Sequence, residues 1–209
     1  TIDLSIYSFE WETNRTKYND TDCYSLSLTN NSDYDIITVE FTYKVKDNVN
    51  DSDLAVYDEF MKAHAGFIKE NDSPKDVVLI GNINSLVAKG KQLTGIRFTI
   101  GFNCWSWHDY PTDEQFKLME PKQMQIGVIG KDNVFYTACY DFEDDSWILH
   151  EITESVDTWS EKEIAKRISK PNEVHHIVEA DYEDVFVVYS YGVKKDEYIK
   201  YVERLKNAG

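Results

Sequence analysis

Leu26–Val45 reads LSLTNNSDYDIITVEFTYKV. The polar turn Asn30-Asn31-Ser32-Asp33 separates two segments rich in β-branched and aromatic residues, the pattern of two antiparallel strands joined by a loop. In the second segment Ile37, Val39, Phe41, Tyr43 and Val45 recur every other residue and predict one buried face. Thr38, Glu40, Thr42 and Lys44 predict the wet one. The stretch predicts a β-sandwich and names no chemistry.

Outward from it the alternation continues. Ile2–Trp11 predicts a first strand with a slip in phase, and Cys23–Thr29 and Tyr34–Lys46 the next two. Asp51 or Ser52 is placed to cap a helix over Leu54–Lys69, an insertion on the sandwich. Asp76–Ile80 and Gln92–Phe102 predict strands around an Ala88–Lys91 turn, with a bulge at Gly95. Thr112 predicts the cap of a short helix that Pro121 ends. Met124–Ile129 and Val134–Phe142 predict a hairpin, and Trp147–Ile152 a further strand.

From Trp159 the texture changes. Ser160 and Glu163 are spaced as a capping box, with Ile164, Ala165 and Ile168 as the inner face of that helix. Glu173–Glu179 and Asp184–Tyr191 predict a hairpin, and Tyr198, Ile199, Val202 and Leu205 one side of a last helix. The charge shifts at the same place. Trp159–Gly209 carries 9 Lys+Arg and 10 Asp+Glu, whereas Thr1–Thr158 carries 13 and 28. The expected fold class is therefore α+β and β-rich. Residues 1–158 form an immunoglobulin-like antiparallel sandwich with a helical insertion, and 159–209 a small α-β-β-α domain.

The formal charge of −16 argues against a nucleic-acid partner, because a phosphate backbone repels such a surface. No apolar run is long enough to insert in a membrane. Thr1 is not an initiator Met and no signal-peptide pattern precedes it, so the chain reads as a soluble part of something longer. Cys23, Cys104 and Cys139 form no CxxC pair. They predict three buried, reduced thiols, with one inter-strand bridge as the alternative.

Two stretches carry family resemblances. Leu26–Val45, followed by the lysine/glycine turn and Gly95-Ile96-Arg97-Phe98-Thr99-Ile100-Gly101, resembles the FxLYD-type immunoglobulin-like domains of bacterial envelope proteins. Lys170-Pro171, Asp196-Glu197-Tyr198-Ile199-Lys200-Tyr201 and the closing Lys206-Asn207-Ala208-Gly209 resemble a small C-terminal domain of unknown function. That domain occurs in secreted or lipid-anchored proteins of gut gram-positive bacteria. The resemblance implies a place outside the cytoplasmic membrane and a binding or structural role, and carries over no functional residues.

No constellation points to catalysis, and no cofactor is implied. His175-His176 are adjacent on a predicted strand, so they face opposite ways and read as surface or edge histidines, not as a metal pair. Trp107-His108-Asp109 has no nucleophile elbow to serve. Glu143-Asp144-Asp145 lacks the spacing of a calcium loop and reads as a solvated turn. Asn-x-Ser/Thr triplets begin at Asn14, Asn19, Asn30, Asn50 and Asn71 and read as polar loops. Nucleotide-loop and zinc-peptidase motifs do not occur. The candidate ligand surface is Trp105, Trp107 and Tyr110, because Trp and Tyr platforms bind sugars and peptides; the competing reading is that these rings seal the sandwich. The expected function is non-catalytic contact with protein or glycan at the surface of a gram-positive bacterium. The alternatives are a purely structural domain and a hydrolase using acidic residues.

Overall fold

The two apolar runs of Leu26–Val45 are strands, as the pattern predicts, but they do not pair with each other. A computed structural model describes residues 2–68, 72–102, 105–132, 134–155, 159–167, 170, 175–182 and 185–207. In chain order the elements are β1 (Phe9–Tyr18), β2 (Thr21–Asn30), β3 (Asp35–Val45), α1 (Asp58–Ala63), β4 (Val77–Val87), β5 (Lys91–Phe102), β6 (Trp105–Ser106) and α2 (Asp113–Lys117). There follow β7 (Met119–Ile129), β8 (Val134–Asp141), β9 (Ser146–Ser155), α3 (Glu163–Lys166), β10 (His175–Asp181), β11 (Phe186–Tyr191) and α4 (Lys195–Asn207). The first nine strands form one antiparallel sheet in the order β1-β2-β5-β4-β3-β7-β8-β9, with β6 on β5. The last two strands pair separately.

The large sheet folds over itself at β5. The first half of that strand, from Lys91 to Arg97, pairs with β2, and the second half, from Phe98 to Phe102, pairs with β4. Within the first half Gly95 takes φ +79°, a conformation open to glycine, and the β2 register slips there. The predicted bulge is thus present, two residues before the strand passes from β2 to β4 at Arg97 and Phe98. Side chains from both layers interdigitate. Phe9 meets Trp147 at 5.9 Å, and Trp11 meets Phe41 at 5.7 Å and Phe142 at 5.6 Å. The arrangement is consistent with a sandwich.

The turn between β2 and β3 carries the chain from one layer to the other. Asn30 is its keystone and is fully buried. Its Nδ2 donates to Tyr34 O at 2.8 Å and to Val87 O at 2.7 Å. Its Oδ1 accepts from Ser32 N at 3.0 Å and Ser32 Oγ at 2.6 Å. The polar turn is therefore polar inward, a buried group with every bond made.

Several expectations shift. Ile2, Leu4 and Ile6 alternate, yet a 3-10 turn at Ile6–Ser8 precedes β1, which runs on to Tyr18. Its polar remainder is a strand because it pairs with β2 through a two-residue turn at Asn19 and Asp20, both with positive φ. In β3, Ile37 is the extra residue of a bulge against β7 and leaves the predicted face. Ile36 takes its place in the core, while Ile37 joins Ile129 and Ile177 on the outer side. The predicted helical insertion is a 3-10 turn at Asp53–Tyr57 followed by the six residues of α1, and Ser52 makes no side-chain cap. Leu54, Tyr57 and Phe60 are its buried positions. Pro121 does not end α2; it lies inside β7 next to a register shift, where a missing N–H is tolerated.

In the tail, β10 and β11 form the predicted hairpin. Ala165 is buried, and Ser160 Oγ accepts from Lys162 N at 3.1 Å. The Ile164 side chain and Ile168 lie outside the described residues. On α4 the half-buried apolar positions are Tyr201, Val202 and Leu205, whereas Tyr198 and Ile199 face outward. Cys23 and Cys139 are buried free thiols, and Cys104 lies outside the described residues. Among the described residues no helix is long and apolar enough to cross a membrane.

Tyrosines do part of the stabilising. The Tyr57 hydroxyl donates to Gln115 O at 2.9 Å, and burial pushes its pKa up. The Tyr140 hydroxyl bonds to Asp145, which, with burial, pushes its pKa up to about 12. A phenol with a raised folded-state pKa stabilises the fold fully below its unfolded pKa of about 10 and loses that contribution as pH rises through the folded value. The urea midpoint of the protein is therefore expected to fall between pH 10 and about 12. In Tyr140→Phe the fall is expected to be shallower. Circular dichroism at a series of pH values checks this; an identical slope in the variant would remove Tyr140 from the account.

Candidate functional site

Of the residues singled out by sequence, Trp107 and Tyr110 do not converge. Trp107 lies just beyond β6, held by its N–H donating to Ile100 O at 3.0 Å. Its ring, half-buried, closes over α1 against Phe60 at 5.5 Å and His64 at 4.7 Å. The Trp105 side chain lies outside the described residues. Tyr110, three positions on from Trp107, lines an open groove of about 630 Å³ with Arg15, Asp22, Tyr24, Asp113 and Glu114.

This groove is built by three segments. Residue 15 of β1 and residues 22 and 24 of β2 face the start of α2. Thr112 is the predicted cap of α2; it and Gln115 cap the helix reciprocally and so fix Asp113 at its first turn. Arg15 Nη1 donates to Asp113 Oδ2 at 2.5 Å and its Nη2 to Asp22 Oδ2 at 2.9 Å. The Tyr24 hydroxyl donates to Asp113 Oδ1 at 2.9 Å, and its ring stacks on Phe116 at 3.9 Å. Burial, then Asp113, raises the Tyr24 pKa, so the phenol stays a donor. The ion pairs are about half exposed, so each is worth at most about 1 kcal/mol, and their effect is to set geometry.

One guanidinium among three carboxylates leaves the groove acidic, with a Tyr ring at its rim. Such a surface can accept hydrogen bonds from hydroxyls, amides or ammonium groups and stack one apolar face. Cys23 also lines it, but burial raises its thiol pKa, so it is no ready nucleophile. Arg15, Asp22, Tyr24 and Asp113 were not singled out by sequence. Arg15 and Asp113 stand 98 positions apart, and no local spacing brings them together.

The remaining constellations have structural partners. His175 Nε2 lies 3.2 Å from Asp35 Oδ2, while His176 is buried, edge-on to Trp159 at 5.4 Å. The two do face opposite ways, but only the first is a surface histidine. Asp109 pairs with His64 at 3.4 Å. Asp141 Oδ1 accepts from Glu143 N at 2.8 Å and Asp144 N at 3.2 Å, closing the acidic turn on itself. Among the described residues no cluster of three or more His, Cys, Asp or Glu could hold a metal ion. A second groove, of about 340 Å³, gathers Lys44, Lys46, Lys75 and Lys122. There Lys44 already pairs with Asp47 at 3.2 Å and Glu143 at 3.4 Å.

No family model matches the chain, and neither a curated protein nor a solved structure matches it.

Proposed function

We propose that this chain is a non-catalytic binding module that contacts protein or glycan at the surface of a gram-positive bacterium. In this reading residues 1–158 are an immunoglobulin-like sandwich of the FxLYD type, and 159–209 are the small domain of secreted or lipid-anchored proteins. The observation that carries the binding role is the groove of Arg15, Tyr24, Tyr110 and Asp113, in which a carboxylate is held at fixed distance by two donors beside an aromatic rim. Fixed polar groups next to a ring suit hydroxyl- or amide-rich ligands. Tyr110→Ala is expected to weaken retention on glycan or peptide arrays by roughly tenfold, a hot-spot effect, with the melting temperature unchanged. Trp107→Ala, which strips a ring from Phe60 and His64, is expected to lower the melting temperature. Unchanged retention in Tyr110→Ala, or turnover of generic ester, peptide or glycoside substrates above a heat-killed control, would reject the proposal.

A specific contact favours a stabilising role for the tail beside this. Ile177 of β10 packs on Ile37 and Ile129 of the large sheet, covering the apolar spot that the β3 bulge turns outward.

A further inference from the structure

The large sheet has two edges, β1 and β9, and they are treated differently. An uncovered edge offers unpaired backbone N–H and C=O groups to any extended chain, and charged side chains are the usual guard. The β1 edge carries Glu10, Glu12, Arg15 and Lys17, all exposed. On β9 the segment from Ser146 to Leu149 carries no charge, and Ile148 and Leu149 are 51% and 42% exposed on its opposite faces. Among the described residues no backbone bond from the tail reaches Ser146–Leu149. Ile177 packs beside Phe135, whose ladder partner is Ile152, further along β9.

We propose that the edge of β9 at Ser146–His150 is a strand-addition site for an extended, basic segment of a partner protein. Main-chain bonds of the ladder would hold the segment, and its side chains would meet Ile148 on one face of the sheet and Leu149 on the other. Charge selects the partner. Asp141 ends β8, the turn leading into β9 carries Glu143, Asp144 and Asp145, and Glu151 and Glu154 follow later in the strand. An apolar stretch with acidic residues before and after it matches a segment with Lys or Arg at both ends. A second copy of this chain fits poorly. Antiparallel pairing of two identical β9 strands would bring the acidic turn of one toward the acidic end of the other, between molecules that each carry −16.

The test uses the full chain and a labelled synthetic peptide of alternating valine and threonine with paired lysines at each end. Fluorescence anisotropy is expected to show salt-sensitive binding in the micromolar range. Alternate N-methylation of the peptide backbone is expected to abolish it, and Ile148→Lys to weaken it by roughly tenfold. Absence of binding, equal binding of the N-methylated peptide, or equal binding by a folded Ile148→Lys would each overturn the proposal. So would a dimer in sedimentation that Ile148→Lys dissociates, because a second copy would then own the edge. Should Ile148→Lys prove unfolded by circular dichroism, the N-methylated peptide decides alone.

Discussion

Asn30→Asp is expected to lower the unfolding free energy by about 4 kcal/mol, a large share of the 5–15 kcal/mol that typical domains possess. The Asn30 amide donates to Tyr34 O and Val87 O and accepts from both donors of Ser32. Aspartate keeps the acceptor side but sets an oxygen against two carbonyls, in a place closed to water. Asn30→Ala makes no such clash, but removes all four bonds and leaves the Ser32 hydroxyl only its long contact to Tyr34 O at 3.4 Å, for about 3 kcal/mol. The aspartate variant should therefore be the less stable of the two, although it is the closer in shape. Denaturant unfolding measures both; an aspartate variant as stable as the parent would mean that the turn rearranges freely and that Asn30 is no keystone.

Phe41→Ala is expected to cost about 4 kcal/mol by emptying the place where the layers meet. Phe41 is fully buried and lies opposite Gly81 on β4 and Met124 on β7. Its ring meets Trp11 from the facing layer and Phe142 at 6.4 Å. Gly81 beside it has no side chain of its own to fill the gap. Phe41→Leu keeps most of the volume and should cost about 1.5 kcal/mol or less. The denaturant midpoint should move while the m-value stays fixed, and loss of near-ultraviolet dichroism should report the freed Trp11. A cost for alanine no larger than that for leucine would place the core elsewhere.

Local signals in this chain are legible in the sequence. Period-two alternation marks β3 and β5, Gly95 marks its bulge, and Thr112 with Gln115 marks the start of α2. Each depends only on residues within one element. Neighbourhood is another matter. A polar turn between two apolar runs reads as a hairpin, but the same residues serve a crossing between layers when the Asn points inward. The extent of β1 is not legible, because its last residues, Glu12 to Tyr18, are mostly exposed and no alternation survives in them. The Ile36-Ile37 doublet did hold a clue: two adjacent apolar residues in an alternating strand need a cover on each face, and the tail supplies the second. The groove is the extreme case. Arg15, Tyr24 and Asp113 acquire a common purpose only through the sheet and the capped helix that bring them together.

The strand order has a bearing on biosynthesis. β3 lies between β4, which leaves the ribosome soon after it, and β7, which is not complete until residue 129. At about 5–20 residues per second, several seconds pass between the appearance of β4 and that of β7. Throughout that interval the nascent chain presents β3, with its apolar row Val39, Phe41, Tyr43 and Val45, with one rim bare. The molecule is thus most exposed to wrong partners while it is being made, and its finished sheet gives little hint of that hazard.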